Sequence, residues 1–157
     1  MRELAGVARD VIADNVYLSL GTADASGDPW VSPVYYTAHG HTDFYWVSSP
    51  DALHSRNIAR RPQVSMAIYD SHSPVGGAEA VYMTALAAQV ADEDLTDAAA
   101  IYNGRLPEAK RFELGELLSP ALLRLYRATV TEHSVLIRGG DPDYGRGADS
   151  RMTVFLR

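Results

Sequence analysis

One stretch of the sequence, residues 43–71, constrains the fold more than any other: DFYWVSSPDALHSRNIARRPQVSMAIYDS. Aromatic and β-branched residues at 44–47 predict a strand, and the polar residues and proline at 48–51 predict a turn. Residues 52–61 predict a helix of about three turns, which the following proline ends. Apolar residues alternate with small or polar ones over 63–69, which predicts a second strand. The stretch is therefore a strand–turn–helix–strand unit.

The turn and helix of this unit carry the polar groups that an anion requires. Ser48 and Ser49 end the first strand directly before the helix, whose polar residues are His54, Ser55, Arg56, Asn57, Arg60 and Arg61. Backbone N–H groups at a helix N-terminus point outward, the helix dipole favours negative charge there, and hydroxyl and guanidinium groups add donors. A plainer interpretation stays open, in which the serines are simple caps and the arginines are a solvated helix end.

A second constraint comes from Pro33, which lies inside the strand predicted over residues 30–37. Proline has no N–H to donate to a sheet, so this strand belongs at an edge, a bulge or a splayed corner. We expect the backbone groups of its neighbours Ser32 and Val34 to be free to bind something other than a strand. An ordinary edge-strand proline is the alternative.

The other segments predict strands joined mostly by hairpins, with helices between them or at the ends. Strands are predicted at 16–23, 79–92, within 120–137 (where 135–137 reads as a separate short strand) and at 152–156; helices at 3–15, 92–102 and 107–118; and a hairpin turn at 38–42. A chain of 157 residues is enough for one domain with a substantial core. This pattern predicts a mainly β fold (α+β), an antiparallel barrel or sandwich with flanking helices.

Composition excludes several classes of function. The net charge of −6 gives no electrostatic support for nucleic-acid binding, and the absence of cysteine excludes disulfides and cysteine-ligated metals. His39 and His41 share a glycine turn without an acidic neighbour, so we expect no metal site there. No run of about 18 apolar residues predicts a membrane span, and the acidic N-terminus does not resemble a secretory signal. We therefore expect a cytoplasmic protein.

Four segments, in this order and spacing, resemble the pyridoxamine 5'-phosphate oxidase-like family of FMN-binding split β-barrel proteins. They are YLSLGTADASGDPWVSPVYY at 17–36, the stretch at 43–71, VYMTALAAQV at 81–90 and RLYRATVTEH at 124–133. The resemblance spans most of the chain. It implies one FMN-binding domain over residues 1–157, folded as a split antiparallel β-barrel of six or seven strands with flanking helices.

The resemblance also implies a homodimer with one flavin per barrel in a cleft at the subunit interface, and a small-molecule substrate. It assigns the ribityl-phosphate of FMN to the strand end and the helix-forming segment, and the isoalloxazine to backbone groups of the strand that contains Pro33. A deazaflavin is the alternative cofactor. The cofactor-binding residues that it implies are Ser32, Pro33, Val34, Val47, Ser48, Ser49, His54, Ser55, Arg56 and Asn57.

The sequence departs from the family in three places. His54 stands where relatives commonly carry Lys or Arg, so we expect FMN affinity to rise as the pH falls from about 8 to about 6. Ser134 follows Glu132 and His133 where relatives often carry Trp. The substrate-binding Arg and His of the vitamin B6 oxidases are not recognisable, so pyridoxamine phosphate is not the expected substrate.

The resemblance thus implies an FMN-dependent oxidoreductase of unknown substrate, with no side chain assigned as catalytic because the flavin carries the chemistry. A protein that stores or senses a flavin, deazaflavin or haem without turnover is one alternative. A dimeric scaffold that has lost its cofactor is another.

Overall fold

Antiparallel strands and three α-helices make up the fold, which a computed structural model describes for all of residues 1–157. None of the helices has the length and apolar character that crossing a membrane requires. The helices are α1 (Leu4–Asp14), α2 (Leu53–Arg60) and α3 (Leu95–Asn103), with 3₁₀ turns at Asp92–Asp94, Glu108–Lys110 and Leu114–Leu117. The strands are β1 (Tyr17–Ala23), β2 (Pro29–Tyr35), β3 (Thr37–His39), β4 (Asp43–Ser48), β5 (Gln63–Tyr69), β6 (Ala80–Gln89), β7 (Arg124–Ile137) and β8 (Ser150–Val154).

All eight strands belong to one curled antiparallel sheet, with the order β2-β1-β5-β6-β7-β4-β3 and with β8 also paired to β7. This confirms the split antiparallel barrel with flanking helices. β2 and β3 lie at opposite ends of the row, yet only Tyr36 separates them in the chain. The two edges of the sheet therefore meet at Tyr36 and diverge from it, and this divergence is the split in the barrel.

Contacts with two other parts of the chain, the end of α1 and the residues after α3, hold this junction. The buried Tyr36 hydroxyl donates a hydrogen bond of 2.6 Å to the carbonyl of Ile12 near the end of α1. The guanidinium of Arg105, just after α3, donates to the carbonyl of Tyr36 at 3.0 Å and lies 4.9 Å from its ring centroid. Arg105 also donates to the carbonyls of Ala13, at 3.4 Å, and Asn15. One side chain thus fixes the end of α1 to the point where the barrel opens.

Two apolar clusters cover the two faces of the sheet. The larger fills the barrel and includes Leu20, Trp46 and Ile58, so α2 is anchored to the interior by its buried face. The smaller lies between α3 and the outer face of β4 and β7, where Tyr45 and Leu125 are buried. Because both faces of β4 are covered, the turn that follows it starts from a fixed position.

β7 is one continuous strand, so the separate strand predicted at 135–137 is wrong. Thr131 is an extra residue in β7, opposite the step between Thr84 and Ala85 of β6, and this bulge shifts the register. The Thr131 hydroxyl donates to the carbonyl of Thr84 at 3.0 Å. The buried positions therefore change from even residues such as Ala128 to odd residues such as Val135.

Three other predicted elements differ in detail. The strand predicted over 30–37 is interrupted at Tyr36, so that β2 ends at Tyr35 and β3 begins at Thr37. The helix predicted at 107–118 is only a pair of 3₁₀ turns. The turn predicted at 38–42 is shorter, because β3 continues to His39 and the chain reverses through Gly40 and His41, which both have φ of 60°.

Candidate functional site

The split leaves backbone groups of β4 without a neighbouring strand. β3 pairs with β4 only from Asp43 to Tyr45, so the last residues of β4 have no partner on that side. The N–H of Val130 in β7 donates to the carbonyl of Thr42 at 2.8 Å, so Thr42 and every second residue after it have backbone groups that bond to β7. The residues between them have backbone groups that point the other way. Val47 is one of these, so its N–H and C=O point away from β7 and into the split.

The opposite side of the split is β2, whose outer edge has no strand partner. The N–H of Tyr36 donates to the carbonyl of Val16 at 3.1 Å, so every second residue of β2 counted back from Tyr36 has backbone groups that bond to β1. The backbone groups of the residues between them, Val31, Pro33 and Tyr35, therefore point outward. Pro33 therefore lies where its missing N–H removes no bond to β1, which explains why a proline is tolerated inside this strand.

The same register corrects one expectation from the sequence. The sequence predicts free backbone groups at Ser32 and Val34, but these groups occupy the positions that hydrogen-bond to Leu20 and Leu18 of β1. The Val34 side chain is buried in the barrel core and Ser32 is half-buried. The outward groups belong to Val31, Pro33 and Tyr35 instead, because the phase relative to β1, and not the position of the proline alone, decides which groups are free.

At one end of the split, α2 begins without a cap. Its N-cap residue, Ala52, provides no side-chain hydrogen bond, and the N–H groups of Leu53, His54 and Ser55 have no acceptor. The hydroxyl of Ser49 accepts the N–H of Asp51 at 3.1 Å and so shapes the turn before the helix. The helix therefore presents three unpaired N–H groups where its dipole favours an anion.

His54 and Ser48 form a hydrogen-bonded pair beside this helix start. The Nε2 atom of His54 lies 2.9 Å from the hydroxyl oxygen of Ser48, which ends β4. Burial lowers the pKa of His54, because desolvation penalises its charged form. His54 is therefore neutral at pH 7, and the positive charge that the family pattern places here is absent in the free protein.

The remaining predicted residues of α2 separate into two groups. Asn57 is buried and its amide donates to the hydroxyl of Thr22 in β1 at 3.0 Å, and Ser55 is also buried, so both face the barrel. Arg56 is exposed and borders, with Arg60, an open cleft of about 320 Å³ beside the loop between β1 and β2. Arg56 is thus the one permanent cation among the predicted binding residues.

The structure therefore brings Val47, Ser48, Ser49 and His54 together at the end of β4, with Pro33 on the opposite edge of the split. Sequence reasoning missed the outward backbone groups of Val31 and Tyr35, since only the strand register reveals them. Nowhere in the chain do three His, Asp or Glu side chains group as ligands for a metal ion.

Comparison with known proteins gives a family match. A sequence model of the family described as pyridoxamine 5'-phosphate oxidase matches residues 4–122, which is most of the chain. None of the curated proteins matches the sequence.

Solved structures show the same fold at low sequence identity. The heme binding protein from Mycobacterium smegmatis superposes with a TM-score of 0.72 at 23% identity, covering 98% of this chain and 59% of that chain. The heme storage protein HutZ from Vibrio cholerae gives 0.70 at 20% identity, covering 93% and 99%. A structure described as an F420 reductase gives 0.54 at 19% identity, covering 75% and 88%. The chain thus spans about three fifths of the length of the mycobacterial protein.

Proposed function

The chain belongs to the pyridoxamine 5'-phosphate oxidase family, and we propose that it is an FMN-dependent oxidoreductase acting on a small molecule. The observation that carries the proposal is the split itself. It has unpaired backbone groups along both edges and an uncapped helix start at one end. A planar ring with a phosphate tail fits such a site, because its polar ring edge and its anionic end both require donors.

The phosphate would be held at the N-terminus of α2. The three free N–H groups of Leu53, His54 and Ser55 supply donors there, and the Ser48 hydroxyl adds one in the tautomer in which Nε2 of His54 carries the hydrogen and donates to Ser48. Arg56 is exposed on the second turn of the same helix and adds a permanent positive charge. The residues present fit a phosphate even with His54 neutral, because backbone N–H groups at a helix start carry much of such sites.

The ring would be held by the edge strand β2. The outward N–H and C=O groups of Val31 and Tyr35 and the carbonyl of Pro33 can bond to the polar edge of an isoalloxazine. A bound flavin would supply the hydride-transfer chemistry, and the role of the protein would be to orient the flavin and exclude water. No side chain is required as a nucleophile.

We further propose that the protein is a cytoplasmic homodimer. The outer face of the sheet has a groove of about 230 Å³, whose lining includes the small residues Ser19, Gly21, Ser65 and Ala67 beside larger ones such as Tyr82 and Arg151. Val31, which lines the groove, is 65% exposed, and the aromatic ring of Tyr69, two residues beyond Ala67 in β5, is 51% exposed. A second copy of the chain would cover this face and complete the cleft over β2.

The affinity for FMN should depend on pH through the protonation of His54. Burial lowers the pKa of the His54 imidazole below its ordinary value of about 6.5, so the protonation that would attract the phosphate is displaced to lower pH than the sequence alone predicts. We expect FMN affinity of the wild type, relative to His54→Gln, to rise as the pH falls below about 6.5. Titration of both proteins at each pH removes the contribution of the phosphate's own protonation. Parallel curves would show that the charge of the His54 imidazole does not contribute to phosphate binding.

The lowered pKa of His54 also makes the stability of the fold depend on pH, but stability falls as the pH falls, whereas FMN affinity is expected to rise. A histidine whose pKa is lowered in the folded state stabilises the fold above its unfolded pKa, and this stabilisation is lost as the pH falls. Binding at low pH should therefore be measured at a temperature where denaturation curves show the protein to be folded.

The test of the proposed function is an absorption spectrum of the purified protein before and after adding FMN, followed by anaerobic addition of NADH or NADPH. We expect flavin bands, micromolar or tighter binding, and bleaching by a donor. Bound flavin that no donor reduces would favour storage or sensing, and no flavin binding would overturn the proposal.

Haem binding is the second candidate, because two of the similar structures are described as heme binding and heme storage proteins. Titration with hemin distinguishes it: a saturable Soret band in protein that does not bind FMN would favour haem. A deazaflavin is the alternative redox cofactor, since another neighbour is described as an F420 reductase. Competition between F420 and FMN for the protein separates those two.

A further inference from the structure

Trp30 is a large apolar side chain that the fold leaves half uncovered. It is the second residue of β2 and is 48% exposed, whereas Trp46, the other tryptophan of the chain, is fully buried. An aromatic side chain of this size gains much free energy when its apolar surface leaves water. The direction in which the indole points therefore decides what could cover it.

The pairing of β2 with β1 fixes that direction. Trp30 lies directly opposite Thr22 in the antiparallel register, so the two side chains are on the same face of the sheet. The Thr22 hydroxyl accepts a hydrogen bond of 3.0 Å from the side-chain amide of Asn57, in the middle of α2. The indole is therefore on the face that α2 covers, and it lies at the edge of the sheet, because no strand pairs with the outer side of β2.

The proposed flavin site borders the same corner of the molecule. The outward backbone groups of Val31 and Pro33 follow Trp30 along the edge of β2. Leu53 begins α2, is 39% exposed, and shares a helix face with Asn57, because residues four apart on a helix are neighbours. Trp30 and Leu53 are thus two exposed apolar side chains beside the free edge of β2 and the uncapped start of α2.

A second copy of the chain docked on the outer groove would leave Trp30 open. Successive side chains of a strand point to opposite faces of the sheet. Val31, the next residue, lines the groove on the outer face, so the indole of Trp30 points away from that groove. A ligand at the edge of β2 can cover the indole, whereas a partner on the outer face does not.

We propose that Trp30 forms an apolar wall of the flavin site and packs against the isoalloxazine ring. The inference rests on the proposed function and adds a side chain to a site otherwise built from backbone groups. Planar aromatic rings pack favourably on an indole, and such stacking contributes strongly to the binding of nucleotide bases. Trp30 would therefore hold the ring while the start of α2 holds the phosphate.

The first test compares FMN with riboflavin, which has the same ring but no phosphate. Trp30→Leu should weaken the binding of both by the same factor, about 5- to 30-fold, because its contact is with the shared ring. Trp30→Phe keeps an aromatic ring and should restore most of the affinity. Phe155→Leu is the control, since it removes an aromatic side chain that is 84% exposed beyond β8, and it should change neither affinity. Equilibrium dialysis measures all of these affinities.

The second test uses the unsubstituted protein, so it does not depend on how the variants fold. Hydroxyl radicals oxidise exposed aromatic side chains, and mass spectrometry of the digested protein measures the oxidation of each. We expect saturating FMN to slow the oxidation of Trp30, with Phe155 in the same sample as the unprotected reference.

The outcomes separate this inference from the proposed function. The inference alone is overturned if FMN binds but Trp30 is not protected, or if folded Trp30→Leu binds both flavins as tightly as the parent protein. It is also overturned if Trp30→Leu weakens FMN binding and leaves riboflavin binding unchanged, because the residue would then act on the phosphate. A parent protein that binds neither flavin overturns the inference and the proposed function together.

Discussion

Replacing Leu53 by proline is expected to weaken FMN binding about 10- to 100-fold without lowering the melting temperature. Leu53 is the first residue of α2, where proline is tolerated because the N–H has no partner within the helix. The preceding residue, Ala52, has φ of −60° and ψ of 146°, a conformation compatible with a following proline. The substitution removes one of three free N–H groups, and a hydrogen bond to a charged group is worth about 1.5–3 kcal/mol.

Leu53→Ala is the matched control, because it removes the same side chain, 39% exposed, and keeps the N–H. Flavin fluorescence titrations of both variants isolate the contribution of that single group. Equal affinities for the two variants would show that the phosphate does not bind the N–H of Leu53, which contradicts the proposed phosphate site in which all three N–H groups take part.

Arg105→Met should lower the free energy of unfolding by about 2–3 kcal/mol and the melting temperature by about 5–10 °C. Methionine keeps the apolar stem of the side chain but removes the donors to the carbonyls of Tyr36, Ala13 and Asn15. Those bonds hold the end of α1 against the junction of β2 and β3. Thermal and denaturant unfolding measure the change.

Arg111→Met provides the comparison, since Arg111 is exposed and donates only one hydrogen bond, of 3.1 Å, to the carbonyl of Leu106. We expect it to cost less than about 0.5 kcal/mol. Losses of the same size in both variants would mean that the contacts at Tyr36 do not stabilise the fold more than an ordinary surface arginine does.

The sequence predicts the order and type of most elements because their local signals agree with their final environment. The unit from β4 to β5 is confirmed to within about one residue at each end, since Pro62 ends α2 and alternation marks β5. β7 shows the opposite case. Apolar positions change phase near Thr131, which local reasoning reads as two strands, whereas a bulge lets one strand absorb the change.

The candidate site is less accessible to sequence reasoning. Residue types correctly indicate that the start of α2 has unpaired donors, but they do not show that Asn57 is already bonded to Thr22. They also predict free backbone groups at Ser32 and Val34, which is wrong, since the pairing of β2 with β1 decides which residues of β2 have outward backbone groups. Both facts depend on partners distant in the chain.

Pro33 also affects how the protein avoids unwanted association. A free sheet edge is a template onto which another polypeptide can add as a strand, and the outer edge of β2 is such an edge. At Pro33 an incoming strand would find a carbonyl but no donor, so the ladder would be interrupted midway between Val31 and Tyr35. A small ring that uses only one or two of these groups is unaffected by the gap. The same residue thus keeps the edge open to a small ligand and makes it a poor starting point for aggregation.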